Sequence, residues 1–148
     1  MEPHVTLSEL DDDPAGRAAL EGLTAFNAPF VGPHGYRPLS LVVRREAGGA
    51  PVGGGFGWCY GGWFFLHYFF LPGDLRGGGL GARLLARLEA EARARGCIGA
   101  WVDTFSFQAR PFYEKQGYRL FGTIPDCPPG HARFFLMKRL DGETHVPA

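Results

Sequence analysis

The alternation of apolar and polar positions predicts a chain of strands interrupted by helices. Residues 63–71 are apolar on both faces apart from His67, which is typical of a central, buried strand. Leucines recur at every fourth position from Leu80 to Leu88, which predicts an amphipathic helix that ends at Gly96. Shorter apolar runs predict the other strands, at residues 5–7, 39–45, 52–60, 100–104, 118–124 and 133–138.

Capping and breaking residues predict two further helices. Asp13 followed by Pro14 is a typical helix start, and the apolar face continues to about residue 28. Residues 27–37 are rich in Gly, Pro and aromatic side chains, so they are predicted to form a loop. A short helix is expected over residues 108–116. No repeat or linker divides the 148 residues, so we expect a single domain of the α/β class.

Composition narrows the classes of partner. The formal net charge is zero at pH 7, which argues against a nucleic-acid surface, because such a surface needs an excess of Lys and Arg. The longest apolar run is far shorter than the roughly 20 residues that span a bilayer. The N terminus lacks a secretory core, so we expect a cytoplasmic protein with no membrane partner. The three cysteines form no Cys-x-x-Cys pair, so we expect no metal site and no disulfide.

The segment Arg76–Ala82 (RGGGLGA) lies between the apolar strand and the long helix. Glycines let a ligand approach the backbone closely, and glycines can also adopt dihedral angles that other residues avoid. The first turn of the following helix leaves N–H groups unpaired and carries a partial positive charge. Together these features predict a binding site for a phosphate or a pyrophosphate. A flexible surface turn is the alternative interpretation.

Two known phosphate-binding motifs can be compared with this turn. A P-loop is excluded, because no Lys-Ser or Lys-Thr follows the glycines. A dinucleotide-binding fold is an open alternative, since Gly77, Gly79 and Ala82 match its G-x-G-x-x-G/A spacing and Asp103 follows about 20 residues later. Against it, residues 72–76 separate the glycines from the strand, and the motif lies in the middle of the chain. This alternative would make the protein a nucleotide-binding oxidoreductase.

A third interpretation accounts for two motifs at once. Residues 76–81 follow the pattern R-x-x-G-x-G at the start of the long helix, and residues 112–118 are FYEKQGY. With these motifs in this order, the chain resembles the GNAT superfamily of N-acetyltransferases over most of residues 51–140. Ser106 departs from the family pattern, because many members have Asn at this position, seven residues before the Tyr of the second motif.

The resemblance implies a GNAT-like fold, with a mixed, mostly antiparallel central sheet and helices on both faces. It also implies an N-acetyltransferase that passes an acetyl group from acetyl coenzyme A (acetyl-CoA), its cosubstrate, to a primary amine of a small molecule by direct attack. The loop would bind the pyrophosphate, and the end of the central strand would pair with the pantetheine arm. The cofactor-binding residues implied in this way are Phe69, Phe70, Leu71, Arg76, Gly77, Gly78, Gly79, Leu80, Gly81, Ala82 and Ser106.

Two side chains are candidates for the catalytic roles that this chemistry needs. Tyr113 matches the family's general acid, because a phenol keeps its proton at neutral pH and can donate it to the leaving thiolate. His67 lies in the central strand and could accept the proton that the attacking amine must lose. Packing alone is the alternative explanation for both side chains. His131 and Asp103 are lesser candidates for the base.

The acceptor site is expected to be lined by residues 27–37, by the hairpin at residues 58–63 and by the turn at residues 125–131. These segments are aromatic and hold little negative charge, which favours a small amine, or an amine with an apolar body, over a polycationic protein tail. The candidate acceptor-binding residues are Asn27, Tyr36 and His131. A homodimer is compatible with the sequence, and a coenzyme A-binding sensor without turnover is an alternative from a different functional class.

Overall fold

The computed structural model describes residues 1–142, and these divide into two compact units that are described separately. The first unit, residues 1–33, contains helix α1 (Pro14–Val31). Asp13 caps this helix as predicted, since its carboxylate accepts a hydrogen bond from the Ala15 N–H at 2.8 Å. Two expectations are wrong here. Residues 5–7 form no strand, because this short run buries nothing, and α1 continues past residue 28 despite Pro29.

The second unit begins at His34 and is built on one six-stranded sheet with the order β1-β2-β3-β4-β6-β5. Strands β3 and β4 are parallel, and the other neighbouring pairs are antiparallel. This mixed, mostly antiparallel sheet with helices confirms the predicted fold class. The elements are β1 (Arg37–Arg44), β2 (Pro51–Tyr60), β3 (Trp63–Phe70), a short 3-10 turn (Gly73–Leu75), α2 (Leu80–Ala94), β4 (Gly99–Phe105), α3 (Arg110–Lys115), β5 (Arg119–Pro125) and β6 (Ala132–Arg139).

The hydrophobic core of this unit lies between the sheet and helix α2. Leu85 and Leu88 of α2 are almost fully buried with Phe64, Leu66 and Val102 of the sheet. Burying side chains of this size contributes about 1.5–3 kcal/mol each. The leucine spacing in the sequence therefore predicted the buried face of α2 correctly. Among residues 1–142, no helix is both long enough and apolar enough to cross a membrane.

One charged residue is buried in the same layer. Glu89 of α2 is 5% exposed, and its carboxylate accepts hydrogen bonds from the Tyr118 hydroxyl at 2.8 Å and from Lys138 Nζ at 2.9 Å. Burial, followed by the charge of Glu89, raises the pKa of Tyr118 above its usual value. Because a buried carboxylate needs such partners, this network ties α2 to the start of β5 and to β6.

Strand β3 has two halves that differ in pairing. Residues 63–66 pair with β2 on one side and with β4 on the other, whereas residues 67–70 pair with β2 alone. A β-bulge also lies at the junction, because Gly57 and Phe56 of β2 are opposite Leu66 and Tyr68, which leaves His67 as the extra residue. A Cβ atom on Gly57 would collide with the carbonyl oxygen of Phe65, so only glycine fits beside the bulge. The predicted burial of the whole strand holds for its first half and fails for its second.

Candidate active site

The glycine-rich turn forms an open cradle at the start of α2. Gly77 and Gly79 have φ angles of +85° and +82°, which favour glycine. No side chain within residues 1–142 caps α2, whose first helical bond runs from the Arg83 N–H to the Gly79 carbonyl at 3.2 Å. The backbone N–H groups of the first turn are therefore directed at the turn itself. Exposed glycines and an uncapped helix end fit a pyrophosphate.

Arginine side chains hold this turn in place. Arg76 donates from Nε to the Leu71 carbonyl at 2.6 Å, and its guanidinium lies 5.3 Å from the centroid of the Phe70 ring. Arg83 donates to the Gly78 carbonyl at 3.3 Å. Arg45, from the β1–β2 turn, makes two hydrogen bonds to the Asp74 carboxylate, at 2.5 and 3.0 Å. Arg76, the first residue of the R-x-x-G-x-G motif, therefore also makes a structural contact with the end of β3.

A gap opens between β3 and β4 beyond their last paired residues, Leu66 and Val102. Phe69 and Phe70 remain paired with β2 in this region, so the β4-facing edge of their backbone is not used in the sheet ladder. Leu71, which follows β3, is buried, and its carbonyl is bound by Arg76. The last part of β3 is therefore unpaired on one side, between the gap and the glycine cradle.

Tyr113 is buried in α3 on the side of the sheet that also carries α2. Its residue exposure is 6%, and its ring contacts those of Phe112 and Tyr118, with centroid distances of 5.2 and 5.7 Å. Burial, followed by the charge of Asp103, raises the pKa of Tyr113 to about 12. Tyr113 therefore keeps its proton throughout the physiological range, and its hydroxyl is available as a hydrogen-bond donor.

His67 and Asp103 stand on opposite sides of the gap. Each directly follows the last paired residue of its strand, Leu66 or Val102. His67 is half-buried and surrounded by rings, while the Asp103 carboxylate binds Arg133 Nη2 at 2.9 Å. The sequence interpretation ranked Asp103 below His67 and did not consider Arg133. The facing positions of His67 and Asp103 depend on strand pairing, which no local sequence signal reports.

The remaining predicted site residues fall into separate groups. Ser106 Oγ lies 3.5 Å from His131 Nδ1 and accepts a hydrogen bond from the Ala132 N–H at 3.1 Å, so the loop after β4 contacts the turn before β6. Tyr36 lies beside Trp58, with 5.9 Å between ring centroids. Asn27 belongs to helix α1 in the first unit. The structure thus brings Ser106 to His131 and Tyr36 to Trp58. No group of three or more potential metal ligands occurs within residues 1–142.

Comparison with known proteins decides the family. Residues 6–118 match the sequence model of the Acetyltransferase (GNAT) family. The chain belongs to the GNAT family. It is therefore an acyltransferase, and acetyl-CoA is its cosubstrate. A dinucleotide-binding fold would need a doubly wound parallel sheet, whereas β3 and β4 are the one parallel pair within the described residues.

Individual relatives agree with this assignment. A blasticidin-S acetyltransferase from Streptomyces morookaense is 43% identical over 107 residues, covering 70% of this chain and 79% of the relative. An acetyltransferase from Agrobacterium fabrum is 34% identical over 133 residues, covering 90% of this chain and 96% of the relative. A solved structure from Agrobacterium tumefaciens, also named as an acetyltransferase, matches with a TM-score of 0.84 at 33% identity, covering 93% of this chain and 99% of that one.

Proposed function

We propose that this GNAT protein is an N-acetyltransferase that acts on a primary amine of a small molecule by direct attack on acetyl-CoA. The observation that carries the proposal is the gap between β3 and β4, which opens after Leu66 and Val102. His67 of β3 and Asp103 of β4 lie beside this gap, and the glycine cradle lies beyond the end of β3. The gap can take an extended thioester, and the cradle can take its pyrophosphate.

Acetyl-CoA binding is proposed to use backbone groups more than side chains. The N–H groups of the cradle would bind the pyrophosphate, and the free edge of β3 would pair with the pantetheine arm. Arg76 would act mainly by holding the cradle against Leu71. Ser106 would contact the ligand from the end of β4. The residues assigned to this role are Phe69, Phe70, Leu71, Arg76, Gly77, Gly78, Gly79, Leu80, Gly81, Ala82 and Ser106.

Tyr113 is proposed to stabilise the leaving sulfur. Acetyl-CoA supplies an acetyl thioester, whose carbonyl carbon is attacked by the neutral amine while the thiolate leaves. A thiol comparable to Cys has a pKa near 8.5, well below the value of about 12 for Tyr113. Full proton transfer from Tyr113 to the thiolate is therefore uphill, and the hydroxyl acts chiefly by donating a hydrogen bond to the developing negative charge.

His67 is proposed to accept the proton that the amine loses. A histidine ring nitrogen can accept a proton directly or through water, and His67 borders the gap where the amine would attack. Asp103 is less suited to this role, because its carboxylate is already engaged in an ion pair with Arg133. Asp103 is instead suited to attracting the ammonium form of the acceptor to the gap.

Blasticidin S is the first acceptor to test, because a relative that is 43% identical to this chain is named as its acetyltransferase. Tyr36 and His131 are the proposed acceptor-binding residues of the second unit, and Asn27, in the first unit, stays a prediction from the sequence. Tyr36 has the clearest support, since it lies beside Trp58 near the gap. Aromatic side chains near the gap support a small amine, or an amine with an apolar body, over a polycationic tail.

The proposed reaction is tested by measuring release of the coenzyme A thiol from acetyl-CoA with blasticidin S, kanamycin, spermidine, 2-phenylethylamine and a lysine-rich peptide. We expect acceptor-dependent thiol release with at least one small amine, and a mass increase of one acetyl group in that amine. Thiol release without any acetylated amine would overturn the proposal. So would tight acetyl-CoA binding by calorimetry without turnover of any amine, which would support a sensor instead.

A further inference from the structure

A cluster of aromatic side chains surrounds His67 on the sheet face that points away from α2. We call this cluster the aromatic face. Its members are Tyr36, Phe56, Trp58, Phe65, Tyr68 and Trp101. Ring centroids of Trp58, Phe65 and Tyr68 lie 5.3, 5.3 and 3.9 Å from that of His67.

The bulge creates this arrangement. In a regular strand, neighbouring side chains point to opposite faces. Here both His67 and Tyr68 contact the aromatic face, His67 through Trp58 and Tyr68 through Phe56, whose ring is stacked at 6.4 Å. Phe69 then returns to the α2 side, where it packs against the core. The extra residue in β3 therefore turns two consecutive rings toward one surface.

An acceptor has access to the gap from the aromatic face. On the opposite face, Leu85 and Leu88 of α2 form a buried core with Phe64 and Leu66. His67, which borders the gap, contacts the aromatic face directly. An amine that approaches the thioester beside His67 therefore places the rest of its body against these rings.

The rings are accessible enough to bind a ligand. Tyr68 is 64% exposed, Tyr36 58% and Phe56 37%, while Trp58 is half-buried and supported edge-on by Phe65 at 5.1 Å. Phe65 is in turn stacked on Trp101 at 3.9 Å. A contiguous exposed apolar surface of this kind is typical of a binding site. Buried Phe65 and half-buried Trp101 support Trp58 from below, and the exposed rings form the contact surface.

We propose that the aromatic face is a stacking subsite for a planar ring of the acceptor, and that Trp58 is the residue that selects for the ring. This inference rests on the proposed function, because it names the class of acceptor at the same site. Rings stack or meet edge to face in preferred geometries that a saturated, puckered ring cannot reproduce. The preferred acceptors are primary amines carried by a planar ring system on a short linker.

The test compares 2-phenylethylamine with 2-cyclohexylethylamine, which share one carbon skeleton and differ in planarity. We expect kcat/KM to favour the planar amine by about 3- to 10-fold, the range that a ring–ring contact contributes beyond area burial. Trp58→Leu keeps apolar bulk without a ring and should bring the ratio close to one. Tyr68→Leu, at an exposed position, should lower the ratio as well and covers the case in which Trp58→Leu does not fold. Phe121→Leu, an exposed aromatic on β5, is the matched control and should leave the ratio unchanged.

Binding of both amines to the enzyme in complex with coenzyme A, measured by calorimetry, separates this inference from the proposed function. Turnover of both amines at equal kcat/KM in wild type would overturn the stacking subsite and leave the acetyltransferase intact. A Trp58-dependent preference in binding, with no turnover of these two amines or of any other acceptor in the panel above, would support the subsite and overturn the proposed reaction. Absence of both the binding preference and the turnover of every acceptor would overturn both proposals. An equal loss of preference in Phe121→Leu would also overturn the role of Trp58.

Discussion

The two halves of β3 have almost the same composition and opposite structural roles. Residues 63–66 (WFFL) pair with strands on both sides, and Phe64 and Leu66 are almost fully buried. Residues 67–70 (HYFF) pair on one side only, and Tyr68 and Phe70 are exposed. The first half builds the core, and the second borders the proposed active site. Aromatic content alone therefore does not distinguish a core strand from a ligand-binding strand.

Neighbouring elements cause the difference. Strand β4 pairs with β3 only as far as Leu66, and the bulge at His67 then changes the direction of the side chains. Gly57 allows the close approach of the two backbones that the bulge requires. An interruption of pairing beside a functional site is a common use of β-bulges. The variants below test the contrast, from the largest expected effect to the smallest.

Truncation should affect stability very differently in the two halves. Leu66→Ala removes a buried side chain and should lower the free energy of unfolding by about 2–5 kcal/mol. Tyr68→Ala, at an exposed position, should lower it by less than about 1 kcal/mol. Urea unfolding followed by circular dichroism measures both. Equal losses would show that the second half contributes to the core as much as the first.

Removal of the Tyr113 hydroxyl should affect catalysis without affecting the fold. Tyr113→Phe should lower kcat by roughly 10- to 1000-fold, because the leaving thiolate loses its hydrogen-bond donor. The melting temperature and the Kd for acetyl-CoA serve as controls and should change little. Since the pKa of Tyr113 is about 12, deprotonation of Tyr113 should produce no alkaline limb below about pH 10. A variant with wild-type kcat would remove Tyr113 from the mechanism.

The glycine cradle should be sensitive to a side chain at a position of positive φ. Gly79→Val should raise the Kd for acetyl-CoA by roughly 5- to 150-fold, because a β-branched residue strains this conformation by about 1–3 kcal/mol. Gly48→Val is the matched control, since Gly48 also has a positive φ, +78°, but lies in the β1–β2 turn. Calorimetry should show weaker binding only in Gly79→Val. Equal affinities in the two folded variants would contradict the cradle assignment.

The smallest effect is expected at the bulge itself. His67→Gln should lower kcat/KM roughly tenfold at pH 7 and no further, because water can accept the amine proton in place of His67, although less effectively. The acid limb that a general base gives to kcat/KM plotted against pH should be lost in this variant. His4→Gln, in the exposed N-terminal segment, serves as the control. An unchanged pH profile in His67→Gln would make His67 a packing residue.

Local pattern predicted the secondary structure around the proposed site. The spacing of Gly79 and Gly81 before a helix predicted the cradle, and the second motif predicted Tyr113 close to the end of α3. Both depend on residues that are near one another in the chain. One local expectation was wrong. The loop expected at residues 27–37 is partly helix, because α1 continues to Val31.

The order of strands and helices, the buried stripe of α2 and the positions of the special glycines follow from the amino-acid order, because periodicity and backbone freedom act within a few residues. The point at which β3 and β4 separate does not, since it depends on the register between residues that are about 36 positions apart, such as Leu66 and Val102. The same holds for the facing of His67 and Asp103 and for the aromatic face. These features arise only when the sheet assembles. Each depends on a partner strand that decides where a side chain lies, and the polarity of the side chain alone does not decide this.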